Sequence, residues 1–88
     1  MQLAFTEDAW EDYLYWQETD GKMLARINEL LRDTLRHPFA GIGKPEPLKG
    51  ILKGYWSRRI NQEHRLVYRP MERDGVQVLV IAQCRYHY

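Results

Sequence analysis

The hydrophobic periodicity of this chain changes once, and the change falls across a run rich in proline and glycine. Upstream of Pro38 the large apolar residues recur at helical spacing; from Gly54 onward they follow strand-like patterning. In the first half, Thr6 is placed to cap a helix, with Glu7 and Asp8 favouring the positive end of its dipole. Trp10, Tyr13, Leu14 and Gln17 fall at i, i+3, i+4, i+7, which predicts a helix laying that stripe on a core. Asp20 is placed to cap a second helix with the apolar stripe Met23, Leu24, Ile27, Leu30, Leu31 and Leu35. That helix must stop near His37, because a proline disfavours the α conformation at the residue before it. Leu3-Ala4-Phe5 reads as a short opening strand. Residues 38–50 read as a long loop, stiffened around Glu46 by Pro45 and Pro47. Strands are expected over 55–60 and 64–69 around a turn at 61–63, then a turn over Met71–Gly75 centred on Asp-Gly, then a final strand from Val76 to Tyr86. Leu66 and Tyr68 alternate with Arg65, Val67 and Arg69, which predicts one sheet face on the helices and one carrying basic side chains. The expected architecture is α+β: two N-terminal helices packed on a mainly antiparallel sheet, with 1–88 as a single domain.

Size and composition narrow the functional classes. A chain of 88 residues has little room for a deep cofactor cavity, so chemistry should sit in a shallow groove. No apolar run approaches the ~20 residues of a membrane span, and the first residues lack the basic start and apolar stretch of a secretory leader. Cys84 is the only cysteine, which excludes an intrachain disulfide and a cysteine zinc cluster and points to a reducing cytoplasm. The formal net charge is only +1, but residues 1–37 carry four bases against eight acids and residues 38–88 carry nine bases against four acids. Such asymmetry hints at contact with a polyanion.

The basic half holds a carboxylate between prolines (Glu46), cations on strands and loop (Lys49, Arg58, Arg59, Arg65), and an imidazole at His87 beside Tyr86 and Tyr88. A metal-free ribonuclease needs such an inventory. RNA supplies the 2′-hydroxyl nucleophile; the protein must take its proton, stabilise the charge on the phosphorus and protonate the departing 5′-oxygen. Each residue also has an ordinary reading. Glu46 can be a solvated turn residue, His87 frayed surface, Arg59 and Arg65 exposed strand positions, His64 the start of a strand, and Cys84 a small buried strand residue. Residue types alone leave both readings open.

The segments D-Y-L-Y-W-Q-E-T-D (12–20), K-P-E-P-L-K (44–49), W-S-R-R-I-N-Q-E-H-R-L-V-Y (56–68) and C-R-Y-H-Y (84–88) resemble the YoeB toxins. These belong to the RelE/ParE superfamily of bacterial type II toxin–antitoxin systems. The resemblance covers essentially the whole chain. It implies a microbial-ribonuclease-like α+β fold and a ribosome-dependent mRNA interferase that cuts the codon in the A site and blocks translation. It implies no metal or organic cofactor. Its partners would be a YefM/Phd-type antitoxin, operator DNA bound through the antitoxin complex, and a second copy in a homodimer, in the bacterial cytoplasm. Residue by residue, it implies that Glu46 is the general base, Arg65 stabilises the phosphate, His87 is the general acid and Tyr88 orders the site, with Lys49 and Arg59 near the scissile phosphate. Regular strand geometry cannot turn His87 and Tyr88 to one side together, so a bend is expected there.

Two other functions remain to be discriminated: a ParE-like inhibitor of DNA gyrase on the same fold, and a basic RNA- or ribosome-binding module without chemistry. Neither needs both a base and an acid, so Glu46 and His87 together with Arg65 favour the ribonuclease.

Overall fold

The computed structural model describes residues 1–87. A short strand β1 (Gln2–Phe5) leads into α1 (Glu7–Thr19) and α2 (Gly21–Arg36). Then come a two-residue strand β2 (Glu46–Pro47), a single 3₁₀ turn (Gly50–Leu52) and the strands β3 (Trp56–Arg59), β4 (Arg65–Arg73) and β5 (Val76–Gln83). The strands form one sheet in the order β1-β5-β4-β3-β2. All neighbours are antiparallel except β1 and β5, which run parallel. This is the expected α+β architecture.

The helix boundaries follow from capping. Thr6 Oγ1 accepts the Ala9 N–H at 3.2 Å, and Asp20 Oδ1 accepts from Lys22 and Met23. α2 ends at Arg36, with His37 as its C-cap ahead of Pro38. Its buried stripe is Ile27, Leu30, Leu31 and Thr34, with Met23, Leu24 and Leu35 at the margin, close to the expected one. On α1 the expected stripe is wrong by part of a turn. The buried residues are Ala9 and Trp16, while Trp10 remains 46% exposed. Trp10 instead stacks on Tyr13 at 5.8 Å and meets Phe5 edge-on at 5.9 Å. A wide aromatic surface can be covered by neighbouring rings without entering the core.

Three other expectations need correction. The turn placed over Met71–Gly75 is confined to Asp74 and Gly75; β4 runs on through Arg73, paired with Val76. Both turn residues have positive φ, 52° and 79°, the geometry of a two-residue hairpin whose twist matches its strands. Pro70 is tolerated inside β4 because β3 flanks that strand only as far as Tyr68, so no ladder on that side is interrupted. The final strand ends at Gln83, not Tyr86. Glu46 lies in a strand rather than in an open loop.

Leu66, Tyr68, Leu79 and Ile81 point from the sheet into the core, where they meet Ala9, Trp16, Ile27, Leu30 and Leu31. The opposite sheet face holds the residues of alternate parity.

Candidate active site

Strand register decides which of the sequence-identified residues share a face. Glu46 pairs with Ser57, and Ser57 with Val67. Paired residues point the same way, so Glu46, Ser57 and Val67 form one row on the face away from the helices; beyond Val67 a register shift interrupts the pairing with β5. Two positions along, Arg59 pairs with Arg65 and forms a second row on that face. Strand spacing and rise place the Glu46 and Arg65 Cα atoms about 12 Å apart, a gap that two long side chains and a substrate phosphate can fill. Glu46 and Arg59 are exposed. Lys49 is also exposed, three residues beyond Glu46 at the cap of the 3₁₀ turn and off the ladder.

Arg65 is not the solvated strand residue that alternation alone would make it. It is buried, and its Nη1 donates to the carbonyls of Asn61 at 2.8 Å, Gln62 at 3.2 Å and His64 at 3.1 Å. One corner of the guanidinium thus closes the β3–β4 turn. Among the described residues the rest of the fork carries no hydrogen bond, so its remaining N–H groups can donate to an anion.

Arg58 departs furthest from its expected role. It is fully buried on the helix side of β3, paired in register with Leu66. Its Nη1 lies 2.6 Å from Asp33 Oδ2 and 3.1 Å from the Ile42 carbonyl. Nη2 donates to the carbonyls of His37 and Ala40, and Nε donates to Tyr68 Oη. The hydroxyl of Tyr68 in turn donates to the Pro38 carbonyl at 2.7 Å. This network ties the 37–42 segment to the sheet, upstream of Glu46. The Arg58 hydrogen bond, with the Ile42 N–H second, holds the Asp33 carboxyl below its usual range. Burial pushes the Tyr68 hydroxyl above its own.

His87 follows β5 through an irregular segment bound to both α1 and the β3–β4 turn. Trp16 Nε1 donates to the Cys84 carbonyl at 2.8 Å, and the Cys84 N–H donates to Asp12 at 3.1 Å. Arg85 stacks on the Tyr15 ring at 3.5 Å. Gln83 Nε2 reaches back to the carbonyls of Arg85 and Tyr86. The Arg65 N–H donates to the Tyr86 carbonyl at 3.0 Å, and the Tyr86 N–H donates to His64 Nδ1 at 2.7 Å. Tyr86 has φ +66°, so the bend expected at 87–88 occurs one residue earlier. His87 is exposed and lines a shallow groove with Asp8, Asp12, Ala82, Gln83, Arg85 and Tyr86. Tyr88 lies outside the described residues. Burial raises the Asp12 carboxyl above its usual range, against the Cys84 N–H. Burial also pushes the Cys84 thiol up to about 12, which leaves it a buried apolar filler rather than a nucleophile.

Laterally, Arg65 on β4 lies between Glu46 on β2 and the His87 segment that leaves β5. Glu46 and Arg65 thus offer a carboxylate and a partly committed guanidinium on one face, and the Tyr86 backbone ties the segment that carries the His87 imidazole to Arg65; a base, a charge stabiliser and an acid are the groups that phosphodiester cleavage needs. Sequence patterns do not single out Asp12, Trp16 and His64, which position the last segment. Each acts on a backbone group 22 to 72 positions away, and no local periodicity marks such a contact.

The chain and its fold are similar to those of known proteins. A family model described as "YoeB-like toxin of bacterial type II toxin-antitoxin system" matches residues 5–88. The chain is 58% identical over 88 residues to the protein named Toxin YoeB of Escherichia coli K12, covering all of both. The solved structure of a YoeB/ParE toxin from Agrobacterium tumefaciens superposes with a TM-score of 0.95 at 55% identity, covering both chains completely. A Staphylococcus aureus toxin in a heterotetrameric YoeB–YefM toxin–antitoxin complex superposes with a TM-score of 0.85 at 50% identity, over all of this chain and 98% of that one.

Proposed function

Since the chain belongs to the YoeB-like toxins of bacterial type II toxin–antitoxin systems, we propose that it is a ribosome-dependent endoribonuclease cutting mRNA in the A site without a metal ion. The observation that supports this reading is that Glu46 and Arg65 share one sheet face by register, while the Arg65 N–H bonds to the Tyr86 carbonyl, next to His87.

The Glu46 carboxylate takes the proton of the 2′-hydroxyl. The 2′-oxygen forms a bond to the adjacent phosphorus, and the bond from phosphorus to the 5′-oxygen breaks. Arg65 donates to the non-bridging oxygens as their charge grows. His87, in its protonated form, gives its proton to the departing 5′-oxygen. The products are a 2′,3′-cyclic phosphate and a 5′-hydroxyl; Glu46 ends protonated and His87 neutral, and both return to their starting states by proton exchange with water. Arg59 and Lys49 add positive potential along the RNA, and Tyr88 helps order the groove. A shallow, charged face suits an enzyme whose substrate is positioned by the ribosome. The partners proposed are a YefM-type antitoxin, with which the toxin represses its operon at operator DNA, and a second copy of the chain.

The test is to map RNA ends in a translating extract. Cleavage within codons, only when ribosomes are present, with cyclic phosphate and 5′-hydroxyl ends, is the expected result. Intact mRNA with arrested DNA replication would favour gyrase inhibition instead. Glu46→Ala and His87→Gln should each lower the cleavage rate about 10²–10⁴-fold while circular dichroism shows an unchanged fold. If both remain fully active, the base and acid assignments fail.

A further inference from the structure

His64 is a buried titratable group that the proposed chemistry leaves unused. It is 7% exposed, sits edge-on to the Trp16 indole at 4.8 Å and 79°, and lies between the β3–β4 turn and the segment that carries His87. Its two nitrogens have different partners. Nδ1 accepts the Tyr86 N–H at 2.7 Å, and Nε2 lies 3.3 Å from Glu63 Oε1.

A backbone N–H can only donate, so Nδ1 must present a lone pair and the ring proton must sit on Nε2. The Nε2–H then faces the Glu63 carboxylate, which can only accept. One tautomer satisfies both contacts. The bond is made at a residue that would not choose its own conformation. Tyr86 has φ +66°, a region that a bulky side chain rarely enters unless its surroundings impose it. Two bonds from adjacent residues impose it here, one from the Tyr86 N–H to His64 and one from the Arg65 N–H to the Tyr86 carbonyl. Arg65 in turn braces the 61–64 turn that holds His64. The arginine proposed to meet the phosphate and the segment delivering the proposed acid therefore share a single clasp.

We propose that His64 is a positioning residue. As the neutral Nε2–H tautomer it latches the left-handed turn at Tyr86 and so sets where His87 stands relative to Arg65. It touches neither RNA nor the reacting atoms, and it acts only through the Tyr86 backbone. The role rests on the catalytic reading of His87. The latch itself does not.

Two sets of measurements separate the two. On the folded wild-type protein, nitrogen-15 NMR of His64 at neutral pH should show a bare Nδ1 and a protonated Nε2, and the Tyr86 amide should exchange slowly. An Nδ1–H tautomer overturns the proposal. His64→Leu keeps apolar bulk against Trp16 but has no acceptor. His64→Asn returns an oxygen close to the position of Nδ1. His64→Leu should speed exchange of the Tyr86 amide at least about tenfold. It should also lower kcat for ribosome-dependent cleavage about 10²-fold, the loss expected for a misplaced reacting group, with KM unchanged. His64→Asn should restore much of both. If His64→Leu frees the Tyr86 amide but cleavage is undiminished, or if His64→Asn restores neither readout, the positioning role is refuted while the endoribonuclease reading stands. If the wild-type protein cleaves no RNA, the endoribonuclease reading falls and takes the positioning role with it; the tautomer and exchange data still judge the latch.

Discussion

Arg58 and Arg65 show how two residues of one type in one short hairpin come to opposite uses. Both arginines are buried, but on opposite faces of the sheet, because strand parity separates them. Arg58 is spent on Asp33, Tyr68 and three carbonyls, whereas Arg65 commits a single nitrogen to its own turn. The Arg58–Asp33 ion pair has a pH signature. Arg58 lowers the Asp33 pKa from its ordinary value of 3.8, so the stabilisation is fully present above that value. It is lost as pH falls through 3.8 toward the lower folded-state value. Asp33→Asn should therefore be less stable than wild type in urea denaturation at pH 7, and the gap should close as pH drops below about 4. A gap of the same size at pH 7 and pH 3 would mean that shape rather than charge holds Arg58. The arginines were visible in the sequence as a basic cluster, but their division of labour was not. Which face an arginine joins depends on register, and its partners come from α2 and the 37–42 segment.

α1 is more than a cover for the core. Its buried side supplies Ala9 and Trp16, and its margin supplies Asp12 and Tyr15, which between them hold residues 84–85. The acidic helix therefore helps build the site, although the proposed RNA chemistry belongs to the basic half. Trp16→Phe tests this link. It preserves most of the apolar packing but leaves the buried Cys84 carbonyl without its indole donor, a loss of about 1–3 kcal/mol. Thermal denaturation should show that loss, and the Tyr86 amide should exchange faster, because the segment is released at one of its anchors. Unchanged stability would show that the carbonyl finds another partner. Elements with strong local signals were legible beforehand: capped helices at Thr6 and Asp20, a helix stop before Pro38, and the Asp74-Gly75 hairpin turn. The α1 stripe, the length of β4 and the end of β5 were not. In each, tertiary packing outweighs local pattern: aromatic rings cover Trp10, β5 extends its partner past the turn residues, and α1 draws Cys84 out of the sheet.

Across the molecule the near-neutral total conceals an acidic first half and a basic second half. The fold folds part of that separation back on itself, since Arg85 lies against Tyr15 in a groove edged by Glu11, Asp12 and Glu18. Arg59 and Lys49 remain exposed near the row that contains Glu46. The proposed association with the ribosome should then weaken steeply as salt rises, through release of counterions from phosphate. Lys49→Ala and Arg59→Ala should each flatten the slope of log K against log salt by about 0.7–1. Binding titrations across a range of salt concentrations would read this directly, and a slope unchanged in both variants would remove these two cations from the RNA path.

Local chemistry was enough to specify the α+β architecture, both helix caps, the hairpin turn and the residues able to act as base, cation and acid. Those features depend on neighbours within a few positions, or on residue type alone. Assembly of the candidate site was decided by the tertiary structure. Glu46 reaches the face of Arg65 only through the pairing of β2 with β3, and the segment that carries His87 bends at Tyr86, whose backbone is bonded to His64 and Arg65. These are contacts between distant backbone and side-chain groups, fixed by register and packing, and no spacing along the chain records them.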